Sequence, residues 1–258
     1  GKMDAKARVE SSEVIGPSLG QASINSGLNS FLIAFVVILL YMLFYYSRRA
    51  GLVADFALIT NMFFLIGVLA SLQAVLTLPG IAGIVLTIGM SVDANVLIYE
   101  RVQEELRAGK GIKLAISDGY KNAYSAIIDG QVTTLLTGIV LYVFGSGPIK
   151  GFATTLIIGI ITSLFSAIFL TRLIFEWRLK KNRKILFSAP QTDGWLRNTA
   201  IKFLEKKRIF YILSSAFILL SVGSLFVRGL NYGIDFKGGR TYVVRFDQDV
   251  VVSNVTNA

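Results

Sequence analysis

One carboxylate stands inside an otherwise apolar run, and it is the residue of this sequence best placed for proton or ion chemistry. The run covers 80–99 and contains Asp93. At about 1.5 Å of helical rise per residue, Asp93 lies about 20 Å from one end of the run and about 9 Å from the other. A carboxylate at that depth in a bilayer costs at least ~2.5 kcal/mol, and such residues usually serve an ion or proton path. A purely structural alternative, in which a neighbouring helix satisfies the carboxylate, stays open.

Hydroxyl groups in the next apolar segment lie at a similar depth. Thr133, Thr134 and Thr137 follow the spacing i, i+1, i+4 and form one polar stripe on a helix. Such a stripe could solvate Asp93 or relay protons to it, or its hydroxyls could simply bond back to their own helix. Asn95, two residues beyond the carboxylate, points in another direction on the helix. These five residues are the predicted proton path.

Glycines precede the carboxylate on the same helix. Gly89 lies four residues before Asp93 and so on its face, and Gly83 lies one to two turns further back. Either glycine would let another helix approach closely, as ordinary membrane packing also requires. A second carboxylate, Asp55, is near the start of its apolar segment, where a helix N-terminus favours negative charge, and we expect no further role for it.

Composition places the chain among polytopic membrane proteins. Hydrophobic residues make up 53% of the 258, and the mean hydropathy is +0.63. There is no Cys and no His, so disulfides and thiolate metal sites are excluded, and proton handling falls to Asp, Glu, Lys, Arg or Tyr. The net charge of +10 does not indicate nucleic acid, because the basic residues cluster between apolar segments. The predicted fold is an α-helical polytopic membrane protein.

Six apolar segments are long enough to span a bilayer. They run over about 29–46, 53–76, 80–99, 131–146, 151–175 and 209–227. The charged stretch 100–130 is predicted to be a loop with one or two short amphipathic helices, and 176–208 a basic linker. Residues 1–28 are polar. In 229–258 the alternation over 241–246 predicts a β-strand that opens a further domain.

Lys and Arg are distributed unequally between the two sides of these segments. They are concentrated in 47–52, 100–130 and 176–208, whereas the two turns on the opposite side carry only Lys150. Because basic loops stay in the cytoplasm, those three stretches are expected there, and both ends of the chain on the outer side.

Three stretches of the sequence resemble one family. The run from Gly83 to Arg101, GIVLTIGMSVDANVLIYER, resembles the fourth transmembrane helix of the SecD protein-export proteins, and 9–20 resembles the end of their first periplasmic domain. GIDFKGG, from Gly233 to Gly239, is similar to the start of SecF. The chain therefore looks like the middle of a fused SecDF protein, with 29–175 as SecD helices two to six and 209–228 as the first SecF helix.

That resemblance implies a fold, a location and a function. The fold is a resistance-nodulation-division-type bundle with six transmembrane helices here and parts of α/β periplasmic domains at both ends. The location is the bacterial plasma (inner) membrane. The function is to complete protein translocation through SecYEG with the proton-motive force, after SecA has acted with ATP. Exported preproteins and a YajC-type accessory subunit are further implied partners, and Asp93 matches a functional aspartate of the proton path. No cofactor, metal or enzymatic activity is implied.

The resemblance also implies that parts of SecD and SecF are missing from this sequence, and alternative functions stay open. SecD's first helix, most of its periplasmic domain and five SecF helices lie outside the matching stretches, so we expect the proton path to be incomplete in this sequence. A proton-coupled small-molecule or lipid exporter of the same superfamily would share Asp93. A scaffold without transport activity would not need it. An enzyme is disfavoured, because the sequence has no nucleophile–base pair, metal cluster or nucleotide loop.

Overall fold

The computed structural model describes residues 17–183, 185–189, 204–233 and 236, and within them the chain is almost entirely helical. Its elements are α1 Pro17–Tyr45, α2 Arg48–Ser71, α3 Leu78–Arg107, α4 Ile112–Phe144, α5 Gly147–Leu164, a π-helical turn Phe165–Leu170, α6 Thr171–Lys180 and α7 Lys207–Arg228. The chain divides into two compact units, Gly1–Asn198 and Thr199–Ala258. The first unit contains α1–α6 and the second contains α7.

Six helical stretches of the described residues are long and apolar enough to cross a membrane, which confirms the predicted fold class. They are Ile24–Tyr45, Arg48–Ser71, Leu78–Arg107, Ile112–Phe144, Gly147–Lys180 and Lys207–Arg228. In the fifth stretch α5, the π-helical turn and α6 follow one another without a break, because the backbone stays helical through Phe165 and Leu170.

Side-chain caps fix where two of these helices begin. Ser47 precedes α2, and its hydroxyl accepts a hydrogen bond from the backbone N–H of Ala50. Thr77 does the same for α3 through the N–H of Gly80 at 3.1 Å. A hydroxyl at this position satisfies one of the N–H groups that a helix start leaves without a partner. The α4–α5 turn instead uses Gly147, whose φ of +45° favours glycine.

The stretch 100–130 contains the two helical pieces that the sequence predicted, but they are the end of α3 and the start of α4, not short helices within a loop. α3 continues to Arg107 and α4 begins at Ile112, so the connection is only 108–111. The charged residues belong to helical extensions that pack on each other: a Cβ on Gly119 would lie 2.4 Å from Val102 Cγ2. The predicted helix ends near 99 and 131 were wrong because charge was taken to end a helix, whereas one apolar face persists through the charged turns. The strand predicted at 241–246 and most of the polar start lie outside the described residues.

Lys110 closes this short connection electrostatically. Its ammonium nitrogen lies 2.6 Å from Asp118 Oδ2 and 2.6 Å from Glu105 Oε2, so it joins the end of α3 to the start of α4. The hydrogen bond to Asp118, and then that to Glu105, raise the pKa of Lys110 above its ordinary value. The protonated form of Lys110 therefore favours this connection.

α3 lies at the centre of the first unit and contacts α1, α2, α4 and α5. Its closest approach is to α5, along a seam of small residues. A Cβ on Gly83 would lie 2.2 Å from Thr155 Oγ1, and a Cβ on Gly159 would lie 2.3 Å from Thr87 Oγ1. Each glycine thus packs against a threonine of the other helix. The order of the contacts shows that α3 and α5 run parallel, at a separation that only small residues permit.

Part of the predicted basic linker also packs into the bundle. Residues 176–180 complete α6, and 185–189 return to the start of α2, where the Ser47 hydroxyl donates to the Leu186 carbonyl. Phe187 is 1% exposed, with its ring centroid 5.3 Å from Tyr99 and 5.0 Å from Phe175. This end of the first unit, which also carries the 108–111 connection, is called the basic end below. Its aromatic cluster fixes the first part of the linker against α3.

Candidate functional site

The two faces of α3 have opposite surroundings. The inner face carries Thr87, Ser91 and Asn95 and is buried among the other helices. The opposite face is a continuous exposed stripe at helical spacing, called the outer stripe: Ala82, Leu86, Gly89, Asp93 and Leu97. The intramembrane carboxylate is therefore on the surface of this unit, although its depth along the helix is that of the apolar core of a bilayer.

Asp93 lines a small groove between α3 and α4. The groove has a volume of about 150 Å³ and is formed by Met90, Asp93, Ala94, Leu97, Ala126, Ile127, Gly130, Gln131 and Thr134. None of the described residues that line it is a Lys or an Arg. Among the described residues, Asp93 has no hydrogen-bond or ion-pair partner. The groove thus presents one carboxylate to a mostly apolar space, large enough for a few water molecules or a small side chain.

Only one of the three predicted threonines shares this groove. Thr134 lines it, whereas Thr133 and Thr137 lie on the exposed side of α4. All three hydroxyls donate to carbonyls of their own helix: Thr133 to Gly130 at 2.8 Å, Thr134 to Gly130 at 3.1 Å and Thr137 to Thr133 at 3.1 Å. Their protons are therefore engaged, and what they offer to Asp93 or to water is acceptor lone pairs. Their part in a proton path stays a prediction.

Asn95 and the two predicted glycines lie in different surroundings. Asn95 is 1% exposed on the inner face, where its amide nitrogen donates to the Ser91 carbonyl at 3.3 Å, so the structure does not bring it to Asp93. Gly83 lies in the seam with α5. Gly89 lies on the outer stripe, and a Cβ there would meet no described atom within 4 Å. A close helix partner for Gly89 is therefore not part of the described residues.

Gln131 is the groove residue that sequence reasoning missed. It is buried, it lines the groove with Asp93, and its Oε1 has no described hydrogen-bond partner. An amide can donate to a carboxylate or accept from a carboxylic acid, so Gln131 suits both protonation states of a neighbouring acid. The sequence did contain a signal for it: Gln131 lies three residues before Thr134, a spacing that places both side chains on one face of a helix.

Asp55 is more deeply placed than the sequence indicated. It lies about two turns inside α2 and is 6% exposed, and its Oδ1 has no described partner. The expectation that a helix N-terminus stabilises it was wrong, because that effect is confined to the first turn. Asn61 on the same helix is fully buried with both polar side-chain atoms unpaired among the described residues. The interior of the unit is thus more polar than its apolar composition suggests.

Six apolar helical stretches and one carboxylate in a groove between two of them define a polytopic α-helical membrane protein with an intramembrane acidic site. Residues 1–181 match the family of protein export membrane protein SecD/SecF, C-terminal, and 223–250 match the SecD/SecF GG motif. The chain belongs to the SecD/SecF family of protein-export membrane proteins.

Known relatives agree with this assignment. The protein translocase subunit SecD of Rhodothermus marinus is 53% identical over 188 residues, which are 73% of this chain and 30% of that protein. SecD of Haemophilus influenzae is 49% identical over 173 residues, which are 67% of this chain and 28% of that protein. The chain therefore spans less than a third of the length of either relative.

Solved structures of SecDF share the fold. The crystal structure of SecDF, a translocon-associated membrane protein from Thermus thermophilus, superimposes with a TM-score of 0.77 at 39% sequence identity. That match covers 87% of this chain and 30% of the SecDF chain. SecDF in a super-membrane-facing form gives a TM-score of 0.73 at the same identity. The helical bundle described above is thus similar to one part of SecDF.

Proposed function

We propose that this chain is part of an accessory membrane subunit of the Sec protein translocase, which uses the proton-motive force to complete translocation through SecYEG after SecA has acted. Family membership supports the export role. The observation that carries the proton-driven part is the position of Asp93, which lies at membrane depth on an exposed, otherwise apolar stripe. A carboxylate placed there is costly unless it exchanges a proton or meets a polar partner.

Protonation of Asp93 is the proposed switch. The ionised carboxylate requires water or a polar partner in the groove, whereas the neutral acid tolerates apolar contact. Loss and gain of one proton would therefore change which surface packs on the outer stripe. Moving one charge across 100 mV provides about 2.3 kcal/mol, enough to shift a two-state equilibrium by more than tenfold. The Gln131 amide would donate to the ionised carboxylate, and the Thr134 hydroxyl, whose proton is engaged by the Gly130 carbonyl, would accept from a water molecule in the groove.

We further propose partners and a location for this protein. The outer stripe would be covered by helices of the same protein beyond this chain, which would hold the complementary polar groups. SecYEG and exported preproteins would be the direct partners, SecA an indirect one, and a YajC-type subunit a further one. The membrane would be the bacterial plasma membrane, with the basic end in the cytoplasm as the distribution of Lys and Arg favours.

The test is export of a reporter protein in cells whose full-length protein carries Asp93→Asn, with ATP and the proton gradient intact. We expect late-stage export to fail while protein level and SecYEG association stay normal. Asp55→Asn is the control for removing a carboxylate from the same unit. Unchanged export with Asp93→Asn would favour the scaffold, and export that fails equally in both variants would point to a general folding defect.

A further inference from the structure

A second cavity, at the basic end, has the chemistry of an anion site. It has a volume of about 300 Å³ and lies between the first turns of α4 and the end of α6. Lys113, Arg172 and Lys180 line it together with the Ser117 hydroxyl, and Ile116 and Leu179 supply apolar walls. Pockets of this size hold small ligands or headgroups, and a mixed lining of cations and apolar groups suits an amphipathic one.

The charge of this cavity is not neutralised from within. Among the described residues that line it, Glu176 is the only acidic one, and its Oε1 accepts a hydrogen bond from Arg172 Nε at 2.9 Å. Three cations and one carboxylate leave a net charge of +2. Within the described part of the chain, neither Lys113 nor Lys180 has an ion-pair partner. Two ammonium groups are therefore available to an anion.

The start of α4 adds to this positive potential. Lys113 belongs to the first turn of α4. The residue before this helix is Gly111, which has no side chain to cap the free N–H groups. A helix start carries partial positive charge. The two lysines, Arg172 and the helix start thus act in the same direction.

The residues around the cavity have the composition of a membrane interface. The apolar stretch Gly147–Lys180 ends beside it, and Trp177 is on the last turns of α6. Lys181 Nζ lies 4.4 Å from the Trp177 ring centroid, and Arg183 Cζ lies 5.7 Å from it. Tryptophan with basic residues is typical of the membrane interface. Phe169, about one helical turn before the lining residue Arg172, is exposed, and its ring stacks on Phe165 with 5.2 Å between the ring centroids.

We propose that this cavity binds the phosphate headgroup of an anionic phospholipid in the leaflet at the basic end. The phosphate would contact Lys113, Lys180 and the free Nη groups of Arg172, the Ser117 hydroxyl would donate to a headgroup oxygen, and the acyl chains would run along Phe169. A basic pocket between transmembrane helices on the side rich in Lys and Arg is the expected setting for such a lipid. The bound lipid would brace the start of α4 against α6.

The experiment measures retention of phosphatidylglycerol by the intact, detergent-purified protein with native mass spectrometry. The variant is Lys113→Gln with Lys180→Gln. Its control is Arg48→Gln with Lys121→Gln, which removes the same charge from exposed positions outside the cavity. We expect the variant to weaken phosphatidylglycerol binding at least about tenfold, since each lysine near an anionic lipid contributes measurably, and the control to change it by less than about twofold.

Three outcomes would overturn the proposal. Equal losses in variant and control would show only general surface charge. Equal retention of phosphatidylcholine would show that the anionic headgroup is not recognised. Displacement of the lipid by millimolar inorganic phosphate alone would assign a free phosphate site. Helix content by circular dichroism shows whether the double variant is folded, and Lys180→Gln alone, at an exposed helix end, repeats the test if it is not. None of these readouts depends on protein export, so a failure here leaves the proposed function untouched.

Discussion

The two faces of α3 differ in what constrains them. On the inner face, Gly83 and Thr87 interlock with Thr155 and Gly159 of α5, at distances that leave no space for a methyl group. On the outer stripe, Gly89 meets no described atom within 4 Å and Asp93 has no described partner. One helix therefore combines a face that fixes its position with a face whose surroundings are free to change. The proposed proton exchange at Asp93 would need both, since the carboxylate would have to be held at a set depth while its environment alternates.

The largest expected effect is on the inner side, where the aromatic cluster covers Tyr99. Phe187→Ala should lower the free energy of unfolding by about 3–5 kcal/mol, because it empties a buried site against the rings of Tyr99 and Phe175. Its neighbour Leu186 is 58% exposed, so Leu186→Ala should cost less than about 1 kcal/mol. Thermal unfolding of the purified protein followed by circular dichroism compares them. A similar loss in both would mean that 185–189 does not belong to the core.

The next effect tests the seam directly. Gly159→Ala should destabilise by about 1–3 kcal/mol, because the added methyl would overlap Oγ1, Cγ2 and Cβ of Thr87. Gly89→Ala on the outer stripe should be neutral or slightly stabilising, since alanine is the better helix former and the space is open. The unfolding temperatures of Gly159→Ala and Gly89→Ala, each measured against wild type, test this difference. Adding Thr87→Ala to Gly159→Ala should recover part of the loss, and a loss without recovery would locate the strain elsewhere.

A smaller effect is expected where α3 turns into α4, away from both faces. Lys110→Met should lower the unfolding temperature, and the difference from wild type should depend on pH. The raised pKa means that the folded state binds the proton more tightly than the unfolded state does. The contribution is therefore complete below the ordinary lysine pKa of about 10.4 and is lost as pH rises through the higher folded value.

The pH dependence at Lys110 has a direct check. The unfolding temperature of Lys110→Met should be below that of wild type at pH 8, and the two values should converge as pH rises above 10. The exposed Lys121→Met should show no such convergence. A difference that stays constant over this range would contradict the role of the protonated lysine.

The smallest expected effect on stability is at Asp93 itself. Asp93→Asn should change the free energy of unfolding by less than about 0.5 kcal/mol, because no described group depends on its charge. Together with loss of export, this result would separate function from folding on one helix. A marked fall in unfolding temperature would instead make Asp93 a structural residue, and the contrast between the two faces would not hold.

Much of the fold could be predicted because an apolar segment is recognisable from the order of its own residues. Six apolar segments and their approximate centres followed from residue order, and so did the depth of Asp93. Helix ends were less accessible: the charged residues of 100–130 indicated a loop, yet Lys110 with Glu105 and Asp118 shows that many of them tie two helices together. Charge is compatible with a loop and with a solvated helix face, so local sequence does not decide between them.

The candidate site was also predictable only in part from the sequence. The sequence by itself determined that a carboxylate lies within a membrane-length apolar helix, that threonines lie at a similar depth on the next one and that the basic residues gather on one side. Only the tertiary structure decided that Asp93 faces outward, that Thr134 and Gln131 share its groove, and that Asn95 and Asp55 face inward. The physical reason is that rise per residue fixes depth along any helix, whereas the direction of a side chain depends on which neighbouring helix packs against each face. That choice is made by the fit of α3 into α5, through contacts between residues about seventy positions apart in the chain.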